Sequence, residues 1–107
     1  MSTAAHLIVL SPHCIVDTEH DTLIKNELKL HIPRLEAKLI YCLSKNMGHP
    51  VSGRILVEAL WGSDGVSVSR NALHHCVYRT RRIVEEDRHH PKLLLPVKGY
   101  GYVLCPS

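Results

Sequence analysis

No unbroken apolar run in this 107-residue sequence exceeds five residues, the longest being Leu39–Leu43. A membrane-spanning helix needs about 20, so none is expected. The N-terminus, MSTAAHLIVLSPH, has neither a basic start nor a long apolar stretch and does not read as a signal peptide. The four cysteines, Cys14, Cys42, Cys76 and Cys105, form no CxxC pair. Without a secretory signal they are expected to be reduced thiols, with Cys42 and Cys76 on apolar helical stripes as small buried hydrophobes. The histidines and cysteines at His13–Cys14, His74–His75–Cys76 and His89–His90 lack the spacing of a structural zinc site. Adjacent helical residues also point about 100° apart. No nucleophile motif and no phosphate-binding loop is present. Neither an enzymatic activity nor a metal or other cofactor is expected.

What is present fits one domain over residues 1–107. With 45% apolar and 21% charged residues, the chain can build a modest core and is too apolar for a disordered tail. The net charge of +3 is unevenly placed. Residues 1–53 carry five basic and five acidic side chains, whereas residues 54–107 carry eight and five. Four arginines and no acid lie between Arg70 and Arg82. Such a stripe suits an anionic partner on one face.

Patterning divides the chain into three parts. Over 7–32, short apolar runs broken by turn residues predict an antiparallel β-meander. There Leu28, Leu30 and Ile32 alternate with Lys29 and His31, as in a half-buried strand, and Lys25–Asn26–Glu27 fits a turn. Three helices follow, at about 33–47, 53–61 and 69–86. Pro33 opens the first, Leu35, Leu39, Leu43 and Met47 recur along it, and Gly48 stops it. Ser52 caps the second. In the third, Leu73, Cys76, Val77, Thr80 and Val84 share one arc and Asn71, His75, Tyr78 and Arg82 the opposite one. Glu85–Glu86–Asp87 oppose the helix dipole and mark its end. A β-hairpin closes the chain over 93–104, with Pro96 on an edge and the two glycines of Lys98–Gly99–Tyr100–Gly101 supplying positive φ angles.

Strands, three helices and a hairpin, with a basic third helix, make an α+β winged helix-turn-helix layout. Four stretches sharpen the resemblance: Leu28 to Leu43, Val51–Ser52 through Leu60–Trp61–Gly62, Ser69 to Val84, and Val97–Lys98–Gly99–Tyr100–Gly101–Tyr102–Val103–Leu104. In this order they resemble the effector domain of OmpR/PhoB-type response regulators, most closely the receiver-less ToxR/CadC-like branch. Thr80 stands where that family usually has Leu, Lys98 where Arg is common, and Pro96 where Thr is frequent.

The resemblance implies sequence-specific binding of double-stranded promoter DNA by a bacterial transcriptional regulator. The third helix would enter the major groove and the hairpin wing would lie along the minor groove or backbone. His74, Tyr78 and Arg79 are expected to face base edges, and Arg70, Asn71, Arg81 and Arg82 to face phosphates, with His75 beside them. On the wing and loop, Lys98 is expected at phosphate or a narrow groove and Tyr100 at the wing tip. Trp61 is expected to pack while offering its indole N–H to phosphate. Tyr41 and Tyr102 read as core. Expected partners are tandem DNA sites, a weak homodimer on DNA and RNA polymerase. If the chain is part of a longer regulator, a membrane or sensor segment or a partner protein supplies the signal. The expected location is the cytoplasm, including as the cytoplasmic domain of an inner-membrane regulator. Two alternatives stand beside this: a winged-helix module that binds protein, and a Cys/His metal-responsive regulator.

Overall fold

The computed structural model describes residues 6–62 and 70–106. Four short strands come first: β1 (Leu7–Ser11), β2 (Cys14–Asp17), β3 (Thr22–Lys25) and β4 (Leu28–His31). They form an antiparallel sheet in sequential order. The β3–β4 turn is Asn26–Glu27, whose φ angles of 51° and 70° are both positive. Paired positive φ angles match the right-handed twist of a two-residue hairpin loop. Ile8, Leu10, Cys14, Val16 and Leu23 point into the core.

The last strand departs from expectation. Every residue of β4 is exposed, with Leu28 at 65% and Leu30 at 44%. Only Ile32, just beyond the strand, is buried. Period-two alternation identifies which side chains share a face but not whether anything covers it. Leu30 pairs with the buried Leu23, yet it sits one strand farther out, on the sheet edge.

Helix α1 (Arg34–Ser44) begins one residue after Pro33, which takes the N-cap position in an extended conformation. The helix ends at Ser44, short of Met47. Met47 still packs against the core, but from a turn closed by Gly48 at φ 81°. Tyr41 is half-buried rather than core, stacked on His6 at 5.0 Å with the Lys45 ammonium 4.6 Å from its ring centre. One turn out, residues 36, 40 and 43 share a stripe, so Glu36 is carried inward with Ile40 and Leu43.

Strand β5 (Val51–Ser52) leads into helix α2 (Gly53–Trp61), whose Ser52 Oγ accepts a hydrogen bond from Ile55 N at 3.2 Å, as expected of the cap. Helix α3 spans Arg70–Val84; its expected start at Ser69 lies outside the described residues. It ends two residues earlier than expected. Lys25 Nζ donates to the carbonyls of Ile83 (3.1 Å) and Glu85 (2.9 Å), placing a cation on the negative end of the dipole. Glu85 does not oppose that dipole from solvent. It is buried, and its carboxylate accepts hydrogen bonds from the backbone amides of Lys92, Leu93 and Leu94.

Strands β6 (Leu94–Val97) and β7 (Gly101–Leu104) form the C-terminal hairpin, and β5 joins it in the order β5–β7–β6. Pro96 falls on the edge strand β6, where its missing N–H costs no second ladder. Of the two turn glycines only Gly99 has positive φ, at 73°. Gly101 is needed for a different reason: a Cβ there would overlap the Val51 carbonyl oxygen and lie 2.8 Å from Gly53 N. One apolar core joins the inner face of the first sheet, all three helices and the hairpin.

Candidate nucleic-acid interface

The core-facing arc of α3 is as the periodicity predicts: Leu73, Cys76, Val77, Thr80 and Val84 are all buried. Thr80 satisfies its hydroxyl within the helix by donating to the Cys76 carbonyl at 2.8 Å. Burial pushes the Cys76 thiol up to about 11, and it raises Cys14 and Cys42 as well. Cys14 and Cys76 are buried in the core and Cys42 packs against it. Among the described residues no cluster of three or more His, Cys, Asp or Glu could hold a metal ion. His75 is exposed whereas its neighbour Cys76 is buried, so the two side chains diverge.

The polar side of α3 divides into an exposed strip and two flanks that bond to neighbouring elements. Asn71, His75, Tyr78 and Arg82 are exposed along the strip. Arg88, beyond the helix, places its guanidinium 5.8 Å from the Tyr78 ring centre and so adds charge to it. On one flank Arg79 Nε donates to Glu36 Oε2 of α1 at 2.7 Å. The Arg79 side chain is 46% exposed and that of Glu36 is 3% exposed. This hydrogen bond raises the Arg79 pKa. Arg79 is thus anchored at Nε while part of its guanidinium remains open to solvent.

The other flank faces the hairpin. His74 Nδ1 and the buried Tyr102 hydroxyl share a 2.7 Å hydrogen bond, with the rings edge to face. Two turns later Arg81 is half-buried and its Nε donates to the Leu94 carbonyl at 3.0 Å. Its Nη2 is buried without a partner. Burial raises the Tyr102 hydroxyl pKa, partly offset by the Arg81 charge. Residues 74 and 81 thereby tie α3 to both strands of the hairpin. Arg81, expected at phosphate, is here half-buried and engaged with the hairpin through its Nε.

The remaining candidates sit as follows. Lys98 and Tyr100 are exposed on the hairpin turn. Trp61 is half-buried against the core. Arg70 is the first residue of α3, and its side chain lies outside the described residues. Sequence reasoning passed over Glu36, Lys25 and Arg88. For Glu36 a signal existed: an acid on an apolar stripe needs a buried partner, and the chain's arginines cluster on α3. For Lys25 none did, since its carbonyl partner Ile83 lies 58 residues away.

Residues 26–104 match the family model described as "Transcriptional regulatory protein, C terminal". The chain is 32% identical to transcriptional regulator HilA of Salmonella typhimurium over 81 residues, which is 76% of this chain but 14% of that protein. It superposes on response regulator DrrB, an OmpR/PhoB homolog of Thermotoga maritima, with a TM-score of 0.81 at 23% identity, covering 94% of this chain and 44% of that one. It is also similar to the Klebsiella pneumoniae RstA DNA-binding domain, solved in complex with the RstA box, with a TM-score of 0.77 at 16% identity, covering 94% and 98%. Among the described residues no helix is long and apolar enough to cross a membrane.

Proposed function

The chain belongs to the OmpR/PhoB-type family of winged-helix DNA-binding effector domains of transcriptional regulators, and on that premise we propose that α3 seats in the major groove of promoter DNA with the hairpin beside it. The observation that carries this reading is the exposed strip Asn71, His75, Tyr78 and Arg82, flanked by Arg79 and set on a helix whose opposite face is core. Asn71 can pair with an adenine edge, and arginines can bridge guanine O6 and N7 or meet phosphate. Lys98 meets phosphate as a point charge; it lacks the planar fork of an arginine. Tyr100 lies against the backbone.

His74 and Arg81 take another part in this proposal. They hold the hairpin at a set angle to α3, so that helix and wing meet the duplex as one rigid unit. The whole regulator is cytoplasmic or has this domain in the cytoplasm, acts by binding rather than catalysis, and occupies tandem sites as a weak dimer that contacts RNA polymerase. A sensor segment or partner protein supplies the signal. The polar, arginine-bearing strip favours DNA over an apolar protein groove.

Fluorescence anisotropy with duplexes from the promoter region of the regulator's own gene tests the reading. Tighter binding to one duplex than to random DNA is expected at moderate salt. That preference should fall in Asn71→Ala, by about 1–3 kcal/mol if a base pairing is lost. Equal binding to all duplexes would contradict the sequence-specific role.

A further inference from the structure

A cleft of about 470 Å³ lies between the first turns of α2, the first half of α3 and the inner side of the hairpin. Its size falls within the range of small-molecule sites. Its walls are apolar, built from Val57, Leu73, Val97 and the ring of Tyr102. Among the described residues, Arg54 and Lys98 supply two cations to the lining, against one carboxylate, Glu58. The His74–Tyr102 hydrogen bond closes one wall, leaving the second ring nitrogen of His74 for another partner. Arg54 is exposed, and among the described residues its side chain makes no hydrogen bond or ion pair.

We propose that this cleft is an effector site for a small amphipathic monocarboxylate. Its apolar body would lie on Val57, Leu73 and Val97, and its carboxylate between Arg54 and Lys98. With one cation in excess among the described lining residues, a monoanion balances the charge, whereas a neutral molecule would leave one cation uncompensated and a polyanion would leave the cleft with excess negative charge. An apolar anion also matches the mixed lining better than inorganic phosphate, which would leave the walls wet. Lys98 and Tyr100 belong to the same hairpin turn, so an occupied cleft and a seated duplex compete for that turn. This last step rests on the DNA-binding reading above.

The experiment uses the 107-residue chain with octanoate and phenylbutyrate as probes and their neutral amides as controls, read by chemical-shift titration. Saturable shifts at Leu73, Val97 and Tyr102 are expected for the acids. Binding of the amides should be about tenfold weaker, as for loss of one charge-assisted contact. Arg54→Gln should reduce acid binding similarly, and Val57→Trp should block it by filling the cleft while circular dichroism remains native. No saturable shift, equal binding of acid and amide, or full binding by Val57→Trp would overturn the site. A second arm adds octanoate to a duplex titration and is expected to weaken DNA binding. A chain that binds duplex with unchanged affinity when octanoate is bound would refute the competition. A chain that binds octanoate but no duplex would instead sink the DNA reading and leave the site standing.

Discussion

Glu85 shows what one residue can organise. Its buried carboxylate caps three successive backbone amides at the entry to β6, while its own carbonyl accepts from Lys25. Replacing it by Gln preserves shape but turns an amide donor toward backbone donors. Glu85→Gln should therefore destabilise the fold by about 2 kcal/mol, the scale for lost charge-assisted hydrogen bonds. Urea denaturation checks this, and an unchanged midpoint would remove Glu85 from the anchoring role.

Asp17 and His20 make a smaller, exposed device. The Asp17 carboxylate 2.8 Å from His20 Nδ1 raises the His20 pKa, and the same hydrogen bond lowers that of Asp17. The raised histidine contributes stability that is complete below its unfolded pKa and lost as pH rises through the folded one. The lowered carboxylate contributes above its unfolded pKa, and that part is lost as pH falls through its folded value. Proton NMR should find His20 titrating above its ordinary 6.5. In Asp17→Asn it should return toward that value, and a histidine indifferent to the substitution would rule the pairing out.

At the scale of elements, the hairpin depends on a close approach of backbones. Gly101 packs directly on Val51 and Gly53 where β7 meets β5 and the start of α2. A methyl group there must push the strands apart. Gly101→Ala should cost about 3 kcal/mol, the upper part of the range for overpacking. Amide exchange at Val51 and Tyr102 should accelerate, and protection retained at both would show that the strands can absorb a Cβ. By contrast, Gly99 serves only its turn conformation.

The same scale shows why some elements were legible and others were not. The period of α3, the Ser52 cap and the β3–β4 turn are local: each is decided by residues within a turn or two. Ends and coverage are not. Helix α3 stops where Lys25 meets its carbonyls, and Lys25 is distant in sequence. Strand β4 alternates like a half-buried strand but stands at an edge where Leu28 and Leu30 stay exposed. The division of the arginines was equally hidden. The pattern puts Arg79, Arg81 and Arg82 on one polar side, yet Glu36 engages Arg79, the Leu94 carbonyl engages Arg81, and Arg82 stays exposed.

For the molecule as a whole, α3 and the hairpin act in the proposed reading as one two-part reader. A shared core fixes α3, and the ties at residues 74 and 81 fix the hairpin relative to it. Arginines two positions from one another in the order of the chain, or even adjacent, then do different work. In the proposed reading the exposed Arg82 meets phosphate, whereas Arg81, bonded to the Leu94 carbonyl, acts as a strut.

The salt dependence of duplex binding separates these roles most directly. Each phosphate contact contributes about 0.9 to the slope of log K against log salt. Arg82→Ala should lower the slope by about that amount with little change in stability. Arg81→Ala should leave the slope of the folded protein nearly unchanged, while lowering the melting temperature and weakening binding evenly across salt concentrations. The reverse pattern, a slope lost with Arg81 and kept with Arg82, would contradict the account.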